Sequence, residues 1–240
     1  MNYRLRIAIY TLAVLALLVF IDIRHPSAKK KAVAAAAEIV QKDTPVIVID
    51  PGHGGADGGC VSVDGVPEKG INLTVSLGMR DMLHLLGYEA VMTRDEDVSI
   101  HDSGIEGLAA QKRSDMENRL SIINGEGVLA AVSIHQNQFT DPKYSGAQMF
   151  YQAESSESER LAECIRKKIT GNLQPENTRE LKPVGDELYL IHNAVCPAVM
   201  VECGFLSNPE EAAKLESPVY QQQIAFCTAF GTLSFLNAGQ

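Results

Sequence analysis

The sequence has no CxxC pair, no internal repeat, no surplus of basic charge and no second module after its main body. Five cysteines (Cys60, Cys164, Cys196, Cys203 and Cys227) are an odd number, so any complete pairing leaves one thiol over. They imply no disulfide framework and read as small buried hydrophobes with at most one incidental bridge. Basic residues number 21 against 30 acidic ones, a formal charge of −9. Six of the basic residues fall in residues 1–31, opposed there by Asp22 alone, so the rest of the chain carries −14 (15 basic, 29 acidic). A body that acidic is a poor binder of phosphate backbones, which argues against nucleic acid as a partner. What is present is a globular composition. The 240 residues are 45% apolar and 21% charged, enough for one domain with a sizeable core.

Residues 7–21 (IAIYTLAVLALLVFI) are apolar except for Thr11, and Arg4 and Arg6 precede them. This is the pattern of a signal peptide or signal anchor. As a helix the run spans only about 22 Å, against a bilayer core of about 30 Å, so spanning requires tilt or local thinning. Asp22-Ile23-Arg24-His25-Pro26 follows where a cleavage site would want small residues, and this favours an uncleaved anchor. The expected organisation is an anchor over 1–23, a charged, Ala-rich linker over 24–44 and a catalytic body over 45–238. Basic residues flank the run on both sides, so charge does not fix its orientation. A body outside the cytoplasmic membrane, anchored or secreted, is expected from function rather than from charge, with the membrane as a partner of the N-terminal segment.

Within the body, short continuous apolar runs at 46–50, 128–134 and 198–202 have the look of strands buried on both faces. Residues 88–93 and 146–151 read as further strands and 188–192 as a weak one. Helical spacing appears over 71–86, stopped by Gly87, and over 113–123. Ser156-x-x-Glu159 reads as a capping box, Asn208-Pro209-Glu210-Glu211 as an N-cap with proline at the first helical position, and 218–236 as a last apolar helix. Strands alternating with helices imply an α/β fold, a single domain with a twisted, mostly parallel sheet and helices on both faces.

In such a sheet ligands bind beyond the carboxyl ends of the strands. Three polar residues stand at such ends: His53 in DPGHGG, His135 in SIHQN and Glu202 in VECGF. Glu68 opens the first helix. Two imidazoles and a carboxylate form a ligand set for a borderline metal, and zinc in catalytic sites takes three such ligands with a fourth position for water. The remaining carboxylate can then act as base. Singly, each is ambiguous. His53 alone reads equally as a turn residue, and Glu68 alone as a solvated helix-start acid. Glu202 is harder to read as structural, because an unpaired carboxylate at the end of a buried strand is costly. His192 is a further candidate to line the cleft.

DPGHGGxDxG at 50–59, Glu68, TRDED at 93–97, SIHQN at 133–137 and VECGFLSN at 201–208 together resemble, in order, the zinc-dependent N-acetylmuramoyl-L-alanine amidases of the amidase 3 family. The resemblance covers about residues 45–236. It implies one zinc ion held by His53, Glu68 and His135, with Glu202 as the catalytic glutamate. It also implies hydrolysis of the amide between N-acetylmuramic acid and L-alanine in peptidoglycan. Asn137 and Arg94 are candidate substrate or supporting contacts. No room is left before the third strand for the regulatory helix that some members insert, so no built-in lid is expected. A short anchor and one bare catalytic domain, with SGAQMFYQ at 145–152, resemble the germination-specific CwlD type of spore-forming bacteria, which acts on the spore cortex. The alternatives are a vegetative wall amidase, another zinc wall peptidase, or a non-catalytic wall-binding protein. Whether an accessory protein takes part is left open.

Overall fold

The apolar runs form strands and the amphipathic segments cover them. The computed structural model describes residues 46–238, so the expected anchor and linker lie outside the described residues. In order, the elements are β1 (Val46–Pro51), α1 (Glu68–Leu85), β2 (Glu89–Met92), α2 (Leu108–Ile123), β3 (Val128–Asn137), β4 (Gln148–Gln152), α3 (Ser156–Asn172), β5 (Lys182–Val184), α4 (Tyr189–Asn193), β6 (Ala198–Phe205), α5 (Pro209–Leu215) and α6 (Pro218–Asn237). The strands make one sheet in the order β2-β1-β3-β6-β4-β5. β2, β1, β3 and β6 run parallel, while β4 is antiparallel to β6 and β5 is parallel to β4.

Alternation along the central strands splits the core in two. Ile47, Ile49, Val132, Ile134, Val199 and Val201 face α1, α3, α5 and α6, whose Met79, Leu83, Ile165 and Ile224 are fully buried. Val48, Ala131 and Ala198 face the opposite side, where α2 and α4 supply Ile123, Leu190 and Ile191. Burying each such Ile or Leu side chain contributes roughly 1.5–3 kcal/mol. The mostly parallel sheet with helices on both faces is therefore the observed fold. No helix among the described residues is long and apolar enough to cross a membrane.

Several local expectations change. In place of the strand expected over 188–192 stands helix α4, Tyr189–Asn193, capped by Leu188; His192 N–H donates to Leu188 O at 2.9 Å. A run that short carries no periodicity to separate the two. α2 starts at Leu108, directly after Gly107 (φ 87), because LAAQK consists of good helix formers. β5 went unread because KPV is too short and polar to stand out. The cap of α3 is Ser155, whose side chain accepts from Ser158 N–H, so the box read from Ser156 is displaced by one residue. Asn208 caps α5 as expected, accepting from the Glu210 and Glu211 N–H groups. All five cysteines are free thiols.

Candidate metal centre

β1 delivers the chain to the carboxyl edge of the sheet, where His53 takes φ 62, the one non-glycine residue with positive φ among those described. Such backbone costs of order 1–3 kcal/mol and persists only when its surroundings over-determine it. Two buried arginines do this. Arg119 Nη2 donates to His53 O and Nη1 to Pro51 O, both at 2.8 Å. Arg94 Nε donates to Pro51 O at 3.0 Å and Nη2 to Gly52 O at 2.8 Å.

Arg119 also pairs with Asp50 at 2.8 Å, at side-chain exposures of 2% and 1%. Asp50 further accepts from Ser133 Oγ (2.6 Å) and Thr93 Oγ1 (2.7 Å), which ties β1 to β3 and to the end of β2. Burial alone would raise the Asp50 carboxyl, but Arg119, Ser133 and Thr93 outweigh it and hold it below its ordinary 3.8. A carboxylate depressed in the folded state stabilises above its unfolded pKa, and that contribution is lost as pH falls through the folded value. Equilibrium unfolding should therefore show stability level above about pH 5 and falling below about pH 4. Asp50→Asn should flatten that fall at a lower overall stability; an unchanged acid limb would contradict the assignment.

The three expected ligands converge. Glu68 Oε1 lies 3.2 Å from His53 Nε2 and 3.1 Å from His135 Nδ1. One ligand atom from each residue fits within 4.8 Å of the other two. Glu68 is buried as the first residue of α1. Its Oε1 also accepts from Asn72 Nδ2 (3.0 Å) and its Oε2 from Cys60 N–H (2.8 Å). Burial tends to raise the Glu68 carboxyl, yet the two imidazoles pull it far below the usual range. On the far side of His53, Nδ1 meets Asp57 Oδ1 at 3.0 Å, which leaves Nε2 turned to the centre. Asp57 is itself held by Gly59 N–H (3.1 Å) and Lys112 Nζ (3.2 Å). Burial lowers the His53 pKa, but Glu68 and Asp57 raise it to a net value above 6.5.

Two glycines make room. A Cβ on Gly52 would overlap the His135 ring, and one on Gly59 (φ 70) would strike the Glu68 side chain and the His53 ring. Gly52→Ala should therefore displace His135 and weaken zinc binding roughly 10- to 100-fold, as loss of an orienting contact does. Competition with a chromophoric chelator measures this, and unchanged affinity would show the ring has slack.

Glu202 completes the cluster. Parallel pairing of β3 with β6 makes His135 and Glu202 direct neighbours across the strands. Glu202 Oε2 is buried without a hydrogen-bond partner among the described residues. Burial, aided by the Glu68 charge and opposed by the two histidines, raises its carboxyl to about 7. A cleft of about 230 Å³ opens between His53, His135, Lys112, Tyr189 and Met200. A second hollow of about 530 Å³ lies on the other side of His53, between residues 97–101 and α2. Two imidazoles, one carboxylate and an unpartnered buried carboxyl beside them are a donor set suited to zinc with one base.

The remaining site candidates fare differently. Arg94 is buried, and its donors reach the carbonyls of Pro51, Gly52, Lys69 and Glu96, so it braces the ligand loop, the supporting role of the two expected for it. Within TRDED, Thr93 and Arg94 turn inward at the end of β2. Asn137 stands on the rim after His135, its Oδ1 accepting from Gln138 N–H. His192 is exposed at the end of α4 and does not line the cleft. Sequence reasoning missed Asp57 and Arg119 as supports. Asp57 lay inside the quoted glycine motif, and a buried Asp50 at a strand end should have called for a cation.

Comparison with known proteins adds the family. A family profile described as N-acetylmuramoyl-L-alanine amidase (amidase 3) matches residues 47–232. The chain belongs to this amidase family. Over 190 residues the amidase is 37% identical to the germination-specific N-acetylmuramoyl-L-alanine amidase of Bacillus subtilis, covering 79% of each chain. It is 29% identical to the amidase LytC of Bacillus subtilis, covering 79% of this chain and 35% of that longer one. Among solved structures, the CwlD amidase of Clostridioides difficile, in complex with the GerS lipoprotein, matches with 34% identity and a TM-score of 0.78. That match covers 81% of this chain and all of CwlD. AmiC2 of Nostoc punctiforme matches with 29% identity and a TM-score of 0.69, over 80% and 97% of the two chains. The enzyme is thus an N-acetylmuramoyl-L-alanine amidase, as the sequence resemblance implied.

Proposed function

We propose that the amidase holds one zinc ion through His53, Glu68 and His135 and uses Glu202 as its proton shuttle on peptidoglycan. The observation that carries this is the unpartnered, buried Glu202 Oε2 beside a His–Glu–His cluster. When bound, zinc polarises the scissile carbonyl and acidifies water. The chain's own residues do the rest. Asp57 fixes the His53 ring, and Gly52 and Gly59 let the rings and Glu68 close up. Glu202 accepts a proton at Oε2 and delivers it to the leaving amine of L-alanine. Its raised carboxyl, near 7, suits a group that must both take and give a proton near neutral pH.

The finer role is the spore cortex. Likeness to the germination-specific amidase of Bacillus subtilis and to CwlD supports it over a vegetative wall amidase. In this reading the enzyme strips stem peptides from cortex muramic acid, a step towards muramic-δ-lactam. It works outside the cytoplasmic membrane, tethered by residues 1–23 with 24–44 as the linker and 45–238 as the catalytic domain. An accessory protein belongs to the same reading, since CwlD was solved with a lipoprotein.

Digestion of cortex-type peptidoglycan followed by mass spectrometry tests this. Whole stem peptides beginning with L-alanine are expected. Fragments cut between stem residues would reassign the enzyme as a wall peptidase, and no products from zinc-loaded protein would leave a binding role.

A further inference from the structure

β4 is antiparallel to β6, and its register sets Gln148 directly opposite Glu202. Opposed residues of such a pair share a face with their Cβ atoms about 5 Å apart, so Gln148 borders the catalytic carboxyl. Gln148 in turn holds a guanidinium. Arg179 Nη1 donates to Gln148 Oε1 at 2.9 Å, and Arg179 Nε donates to Ser145 O at 2.8 Å. The guanidinium lies over the Phe205 ring, 4.5 Å from its centroid, with Tyr144 at 5.7 Å. These contacts fix its orientation although it belongs to the connection between α3 and β5.

Nothing acidic pairs with it. Among the described residues no carboxylate forms an ion pair with Arg179, and its Nη2 has no hydrogen-bond partner. Glu211, whose carboxyl the Arg179 charge tends to lower, is committed to the N–H groups of Gly146 and Phe205. Arg179 is half-buried, in a chain whose residues 32–240 carry a formal −14. An oriented guanidinium with a free edge matches a carboxylate in shape and charge.

We propose that Arg179, positioned by Gln148, anchors a carboxylate of the stem peptide and so fixes which arm of the substrate lies beside Glu202. This rests on the amidase reading above. The substrate's chemistry selects the arm. In the substrate the lactyl carboxyl is tied up in the scissile amide and the neighbouring N-acetyl sugars are neutral. The free carboxylates belong to the peptide.

The test uses the zinc-loaded full chain and three muramoyl tetrapeptides: unmodified, amidated at the second-residue carboxylate, and amidated at the C-terminus. For the wild type, one amidation should raise KM roughly 10- to 100-fold with kcat little changed, as loss of a charge-assisted contact does; which one identifies the carboxylate. Arg179→Gln should show that higher KM on all three, with zinc content and melting temperature unchanged. Arg179→Lys should recover part of the loss, lacking the planar fork. If neither amidation moves the wild-type KM, or if Arg179→Gln remains as sensitive to amidation as the wild type, the anchor is refuted and Arg179 is a loop brace. Failure of the wild type to cleave any of the three would instead overturn the amidase reading, and the anchor with it.

Discussion

Glu202→Gln is expected to keep its zinc and its fold while losing amide hydrolysis by roughly 10²- to 10⁴-fold, the usual worth of a positioned acid–base group. The structure supplies the reason for each half. Glu202 makes no bond to His53, Glu68 or His135, whose ligand atoms converge without it. An amide of the same shape therefore leaves the ligands in place. Its Oε2 holds no partner that a substitution would orphan, and burial already disfavours its charge, so melting temperature should be unchanged or raised. What is removed is the unpartnered carboxyl paired across the strands with His135, a group able to take a proton and return it. Metal analysis and single-turnover kinetics on the same preparation measure both halves. Loss of zinc together with activity would make Glu202 a ligand, and retained turnover would move the base elsewhere.

Arg119→Met should be the most damaging single change away from the ligands. Breaking a buried pair by removing one partner costs about 3–5 kcal/mol, because the other charge stays buried alone. Here the stranded group is Asp50, 1% exposed, which also accepts from Ser133 and Thr93. The same guanidinium holds Pro51 O, His53 O and Asp115 Oδ2. Its loss therefore removes part of what keeps His53 at φ 62. Zinc affinity should fall along with stability, although Arg119 touches no ligand side chain. Urea titration with a zinc-binding assay separates the two effects. The double variant Asp50→Leu with Arg119→Met should regain part of the stability without regaining zinc affinity, since the fully buried pair would be gone, leaving only the less buried Asp115 without its partner, while His53 would remain unbraced. Full stability in Arg119→Met would show that the pair contributes little.

How much of this the chain discloses before folding depends on the residue. His53, His135 and Glu202 each follow a continuous apolar strand, and strand-end placement in a parallel sheet is enough to bring them to one edge. Glu68 is different. An acid at a helix start is ordinarily solvated, and only the order of motifs marked it; its burial arises because Pro67 and the 52–60 loop turn α1 onto the edge of β1 and β3. Arg119 is illegible by pattern, since an arginine in a helix of mixed polarity reads as a solvated face. Its burial follows from α2 lying across the β1 exit. Arg94 is open in sequence between a substrate and a supporting contact, because a polar motif after a strand does not show which way its side chain turns; here it turns under the loop. The helix at Tyr189–Asn193 shows the lower limit of periodicity, where five residues do not distinguish a turn of helix from a strand.

In the proposed mechanism three side chains distant in sequence grip a single zinc ion. Diffraction from crystals of the zinc-loaded enzyme, collected on both sides of the zinc absorption edge, measures this directly. One anomalous peak bonded to His53, Glu68 and His135, with Glu202 close by but not bonded, is the expected result. A peak bonded to other residues, or none within reach of these three, would contradict the account.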